Sequence, residues 1–278
     1  MIYRECERET VYLQGFEPWD SMKYAGNSTV AQSGCGLLSI THAALELDEF
    51  ADYDPTDLID FMRKYSEKGK GTLRKGIPAG LEHLGYEYIK QYEGDMVGGD
   101  MKPFFEELKK GDRIAIILFN NPTRNENPPK VTPAPDGTVW TSKGHYCFAG
   151  GMKYVKSRYY LQIKDSSGRH CGWYSYTKSM KGCIRCMWTA KIPQQVINLP
   201  ARGYFQKGDR DPEVRKIQSF LKKYGFVSPK IKCLGNYLTK TTAGVRKFQK
   251  KYNLTVDGKF GAECLRKYIE LTKKGGSK

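Results

Sequence analysis

Between residues 35 and 47 the apolar positions Leu37, Ile40, Ala44 and Leu45 fall at three- and four-residue spacings, which predicts one face of an amphipathic helix. A second helix is announced by Asp54-Pro55-Thr56-Asp57, which offers an N-cap, a proline at the first helical position and a first-turn carboxylate. It runs through Leu58, Phe61, Met62 and Tyr65. Short helices are predicted over residues 78–84 and 102–110, each closed by a glycine, with a strand over 86–92 between them. Residues 113–119 form a nearly unbroken apolar run of strand length, as expected of a strand covered on both faces. Strands over 145–154 and 158–165 follow, joined by a short turn, and residues 172–192 read as further strand.

The pattern changes character near residue 199. Asn198 to Tyr204, with Pro200 and Gly203, reads as a linker centred on 199–203, and everything beyond it is helical. Asp211-Pro212-Glu213 caps a helix whose stripe is Val214, Ile217, Leu221 and Tyr224. A second helix over 239–252 points Val245, Phe248 and Tyr252 inward, and a third uses Phe260, Leu265, Tyr268 and Ile269. Val214-Arg215-Lys216-Ile217-Gln218 recurs as Val245-Arg246-Lys247-Phe248-Gln249, an internal echo that suggests pseudo-symmetry. The prediction is an α+β domain over 1–198 and a smaller all-α three-helix domain over 204–273.

Charge sharpens this division. The 278 residues carry a net charge of +16, and residues 201–278 alone hold 20 Lys and Arg against 6 Asp and Glu. The basic tail therefore calls for a polyanionic partner: nucleic acid, anionic lipid or an anionic wall polymer. No run approaches the roughly 18 apolar residues of a membrane span, so no membrane insertion is expected. The first thirty residues lack the apolar block of a secretory signal, and most of the eight cysteines are expected to be reduced. Residues 120–143, with five prolines, read as a long loop of the kind that serves as a flap or binding loop.

Candidate chemistry centres on Ser33-Gly34-Cys35-Gly36. A thiol in the first turn of a helix lies in the field of unpaired N–H groups, which favours the thiolate. A thiolate nucleophile needs a base, and the base needs an orienting group. Of the four histidines, His42 lies two turns along the Cys35 helix and is expected to be structural. His83 and His170 lack an evident carboxylate across a strand. His145 opens a strand, and a hairpin centred near Val155 sets it directly across from Asp165. Cys183-Ile184-Arg185-Cys186 has metal-ligand spacing, with His170 and Cys171 nearby, but no second cysteine pair, so neither a metal nor a cofactor is expected.

The order Cys35, His145, Asp165 resembles papain-like cysteine peptidases, in the branch related to bacteriocin leader-processing (double-glycine) peptidases. The stretches Gln14 to Trp19, Tyr24 to Val30, Ser33-Gly34-Cys35-Gly36 and Gly144-His145-Tyr146 carry the likeness. Two positions depart from that pattern: Leu37-Leu38 stands where the family often has Pro-Thr, and Asp165-Ser166 where it has Asp-Pro. The resemblance implies a papain-like fold and an oxyanion donor at Gln14, with Gln32 the rival nearer in sequence. The tail is similar to the three-helix peptidoglycan-binding domain of wall hydrolases, through Gly208-Asp209, the two Val-to-Gln echoes and Leu254-Thr255-Val256-Asp257-Gly258.

Together the two resemblances imply a bacteriophage endolysin: a cysteine endopeptidase that cuts an amide bond in a peptidoglycan stem or cross-bridge. It would use no cofactor, be made in a host cytoplasm and act on the wall after release. The partners would be peptidoglycan and anionic wall polymers rather than nucleic acid. The alternatives are an N-acetylmuramoyl-L-alanine amidase on the same scaffold and a non-catalytic wall- or nucleic-acid-binding protein. A leader peptidase is a third, disfavoured because it has no need of a wall module.

Overall fold

The computed structural model describes residues 1–6, 9–47, 54–119, 133–193, 197–228, 231 and 233–274. They fall into two compact units, the first ending at Pro193. Ile197, only 1% exposed, belongs to the core of the second unit, and Leu199 packs against it. The second unit thus begins ahead of the linker expected at 199–203, because two apolar side chains there have a core to enter.

The first unit is built on a seven-stranded antiparallel sheet. Its strands are β1 (Ile2–Arg4), β2 (Glu87–Glu93), β3 (Arg113–Phe119), β4 (His145–Val155), β5 (Arg158–Lys164), β6 (Gly172–Ser175) and β7 (Ile184–Lys191). They lie in the order β6-β5-β4-β3-β7-β2, with β1 also pairing along β4. Alternate residues of β3 feed two cores. Ile114, Ile116 and Leu118 enter one with Tyr146, Phe148 and Trp188; Ala115, Ile117 and Phe119 enter the other with Cys147, Ala149 and Met187. The unbroken apolar run of this strand is explained by burial on both faces.

The first face is covered by α1 (Cys35–Leu47), α2 (Pro55–Arg63) and α3 (Gly76–His83), and the second by α4 (Lys102–Leu108). Helix α2 starts as expected. Asp54 accepts from Thr56 N–H at 2.7 Å, and Asp57 reaches back to Asp54 N–H at 2.9 Å, the reciprocal arrangement of a capping box. Helix α1 is held from behind by a buried ion cluster. Glu46 meets Arg4 of β1 at 2.7 Å and Lys164 of β5 at 3.2 Å, with all three side chains less than a tenth exposed.

Two expectations need correction. Residues 172–192 are not continuous strand: the single turn Tyr176–Met180 separates β6 from β7. Cys183, just ahead of β7, packs in the second core and Cys186, beyond an irregularity in the pairing after Ile184, in the first. Residues 120–143 were expected to be one long loop, and of them 120–132 lie outside the described residues. Their later part is anchored, since Trp140 stacks on Phe119 at 4.0 Å and donates from Nε1 to Ser179 O at 2.5 Å.

The second unit contains α5 (Pro212–Lys223), α6 (Thr239–Lys251) and α7 (Ala262–Lys274), with Tyr204–Phe205 paired to Phe260–Gly261. Its sequence echo has a structural cause. Gln218 accepts from Gly235 N–H and donates to Asn236 O; Gln249 accepts from Gly258 N–H and donates to Lys259 O. Each buried glutamine thus clamps one glycine turn by offering backbone-like partners to groups that would otherwise be buried unpaired. Gln218 also donates to Thr241, and Gln249 to Cys264, the matching position four residues beyond each turn's aromatic. Among the described residues no helix is long and apolar enough to cross a membrane.

Candidate active site

Cys35 is the first residue of α1, and the glycines beside it are there for space. A Cβ on Gly36 would lie 2.4 Å from Thr72 Oγ1, and one on Gly34 would lie 2.6 Å from Val30 Cγ1. Neither glycine adopts a left-handed backbone. The helix start is therefore drawn close against the Gly71–Thr72 strand, and Cys35 itself stays half-buried.

Strand β4 delivers the imidazole. His145 is its first residue, and the ring Nε2 lies 2.6 Å from Asp165 Oδ1, with the carboxylate wholly buried. The expected register, His145 directly opposite Asp165, is not the one formed. The hairpin turns at Lys156 and Ser157, both with positive φ, and its outer pairs run from Val155↔Arg158 to Gly151↔Gln162. Continued unbroken, that register would set Asp165 opposite Phe148, on the face away from His145. Gly150 is an extra residue in β4, and beyond it the pairs become Ala149↔Ile163 and Phe148↔Lys164. One further step puts Asp165 opposite Cys147, which shares a face with His145. The bulge restores the parity on which the His145–Asp165 contact depends. Gly150 fits because even a Cβ there would approach Phe148 Cε1 to 2.4 Å and Cys6 Sγ to 2.6 Å.

Asp165 opens a turn, Asp165-Ser166-Ser167-Gly168, in which its carboxylate accepts from Ser167 N–H at 2.7 Å, Ser167 Oγ at 2.6 Å and His170 N–H at 3.2 Å. Burial would raise its pKa, but the bonds from His145 and Ser167 outweigh that and bring it down to about 2. Burial likewise opposes charge on His145; Cys147, Asp165 and Cys35 hold its proton and keep the pKa well above the ordinary histidine value. The Cys35 thiol shows the complementary shift. Burial would raise it, yet the hydrogen bond and charge of His145, with backbone N–H groups of Tyr146 and Gly36, take it below the ordinary thiol value. An imidazolium–thiolate pair is the arrangement these groups favour. Cys147, on the inner side of the ring, is pushed up to about 11 by burial and stays a thiol.

Gln14 lies beside this turn rather than in open solvent. Its backbone N–H donates to Ser166 O at 2.8 Å, and its side-chain Nε2 donates to Ala31 O at 2.8 Å. Gln32 accepts from Thr29 N–H at 3.0 Å and so caps the short turn Val30–Ser33. His42 is fully buried, with Nε2 accepting from Tyr12 N–H at 2.8 Å. Sequence reading passed over Cys147 and Ser167 and set His170 aside for want of a carboxylate, whereas its backbone N–H donates to Asp165. The turn-forming run after Asp165 was the available signal for Ser167, whereas Cys147 could be found only from the parity of β4. Among the described residues, His145, Cys147 and Asp165 are the one group of three metal-type donors, with donor atoms within 4.8 Å of one another.

The second unit has a pocket of about 350 Å³ lined by Tyr204, Gln249, Thr255, Asp257, Lys259 and Glu263, among others. Lys259 Nζ sits 4.5 Å from the centre of the Tyr204 ring.

Residues 210–267 match the family model described as a peptidoglycan binding domain. The second unit therefore carries a domain of the peptidoglycan-binding kind, which supports a cell-wall partner. Among solved structures, a peptidoglycan-binding protein from Clostridioides difficile in complex with glutamine hydroxamate aligns at 18% identity. It covers 58% of this chain and 94% of that one, with a TM-score of 0.24. A periplasmic domain of the EpsAB fusion protein of the Vibrio vulnificus type II secretion system aligns at 14% identity over 56% of this chain and 63% of that one, with a TM-score of 0.23. Scores this low carry no argument about fold or activity. No curated protein sequence matches the chain.

Proposed function

We propose that the first unit is a papain-like cysteine peptidase acting on peptidoglycan, an endolysin-type hydrolase that the second unit holds at the wall. The observation that carries this reading is the chain of contacts from Cys35 through His145 to the buried Asp165 at 2.6 Å. The thiolate of Cys35 attacks an amide carbonyl in a stem peptide or cross-bridge, and the imidazolium of His145 gives its proton to the departing amine. Water then enters, His145 takes its proton, and the thioester opens to a carboxylate and the free thiolate. Asp165 keeps the ring oriented and stabilises its charged form. The negative oxygen of each tetrahedral intermediate is received by the Cys35 backbone N–H and by Gln14, whose amide has a second N–H beyond the one given to Ala31.

The wall domain raises the local concentration of substrate without taking part in the chemistry. Its pocket, with the Tyr204 ring and flanking Asp257 and Glu263, is suited to a ligand bearing both an apolar face and hydrogen-bonding groups.

Purified walls incubated with the wild type and with Cys35→Ala test the proposal. The wild type is expected to release fragments with new amino-acid amino termini within the stem or bridge, and Cys35→Ala none. Stem peptides freed whole from the lactyl group would instead indicate the amidase. Lysis by Cys35→Ala equal to the wild type would rule out Cys35 as the nucleophile, and lysis by neither would leave only a wall-binding protein.

A further inference from the structure

The peptidase reading uses His145 through its contacts with Cys35 and Asp165, and it leaves Cys147 without a task. Cys147 is fully buried two residues along β4, on the same side of the strand, and its thiol hydrogen-bonds to the His145 ring. One nitrogen, one sulfur and one carboxylate oxygen, from His145, Cys147 and Asp165, therefore lie within 4.8 Å of one another, all three residues buried.

We propose that this cluster is a zinc site in which His145, Cys147 and Asp165 supply three ligands of a tetrahedral set and a solvent molecule the fourth. The donor chemistry fits a borderline-soft ion that accepts sulfur, nitrogen and oxygen together. Bond lengths of roughly 2.0–2.3 Å require donors about 3.3–3.8 Å apart in a tetrahedron. Atoms already within 4.8 Å of one another reach that spacing through small side-chain movements. The carboxylate is preset by Ser167 and the His170 backbone, so it is ordered before any ion arrives. On binding, zinc displaces the Cys147 thiol proton and the imidazole proton that faces Asp165, and both leave to solvent. Bound zinc takes the His145 imidazole and the Asp165 carboxylate out of their relay with Cys35 and so holds the site inactive until a chelator removes it. That consequence rests on the peptidase reading, but zinc binding itself does not.

The test uses the full chain, stripped of metal and titrated with Zn²⁺ alone and, separately, with Co²⁺ alone as an optical probe. One zinc per chain is expected, and the cobalt form should show sulfur-to-metal charge-transfer absorption. Cys147→Ala should bind zinc about tenfold more weakly or worse and lose part of that absorption. Should Cys147→Ala fail to fold, Cys147→Ser keeps the size of the side chain, and the cobalt spectrum of the wild type needs no variant. Equal zinc affinity in wild type and variant, or a cobalt complex without sulfur charge transfer, overturns the proposal. Neither readout requires wall hydrolysis, so inactive but zinc-binding protein would count against the peptidase reading alone.

Discussion

Two histidines of one domain are driven in opposite directions by what surrounds them. His145 keeps its proton because Cys147, Asp165 and Cys35 together outweigh its burial. For His42, burial and the charge of Lys164 outweigh the opposing pull of Asp165, and its pKa falls to about 3. The unfolded chain takes up a proton near pH 6.5 that folded His42 refuses, so stability due to this residue is present above 6.5 and declines as pH falls toward 3. The expected slope is about 1.4 kcal/mol per pH unit within that window. Denaturant melts between pH 4 and 7 should therefore show a flatter profile for His42→Gln, which keeps an acceptor for Tyr12 N–H, than for the wild type. The reactive pair predicts a different pH dependence. Alkylation of Cys35 should persist below the ordinary thiol range in the wild type and shift to higher pH in His145→Ala, as read by iodoacetamide labelling of the intact protein.

The hairpin β4–β5 shows how a single extra residue decides a site. Gly150→Ala puts a methyl group against Phe148 and Cys6, and the crowding should cost about 1–3 kcal/mol. It should also slow Cys35 alkylation at neutral pH, because relief by moving the bulge turns Asp165 away from His145. If Gly150→Ala lost stability but kept wild-type alkylation kinetics, the positioning role of the bulge would be refuted. The same hairpin marks where the sequence could be read and where it could not. Cys35 at a helix start, His145 at a strand start and Asp165 at a strand end are visible as residue types at element boundaries. The turn at Lys156-Ser157 is not, since it lacks the Asn or Gly that usually marks two left-handed positions. The bulge is equally hidden, because Gly150-Gly151 does not say which glycine is extra. The direct opposition expected for His145 and Asp165 was two positions out of register, an even error that left them on the same face. The strand over 113–119 was legible to the residue because burial on both faces leaves its composition no other use. Trp140 was passed over because prolines dominate its surroundings.

The two units divide the charge as sharply as the chemistry. Residues 201–278 carry 20 basic against 6 acidic side chains, while Cys35, His145 and Asp165 lie in the nearly balanced remainder. Attraction between exposed charges is screened over about 10 Å at 0.1 M salt and about 3 Å at 1 M. Cosedimentation of Cys35→Ala with purified walls should thus weaken as sodium chloride rises, whereas a salt-independent pellet would mean that charge plays no part in retention. The same pelleting assay makes the decisive comparison possible. Wild type and Cys35→Ala are brought to equal wall occupancy at one salt concentration, and the new amino groups released from the peptidoglycan are counted over time. The account predicts steady release by the wild type and none above background from the variant. Equal release by both proteins, at equal occupancy, would contradict it.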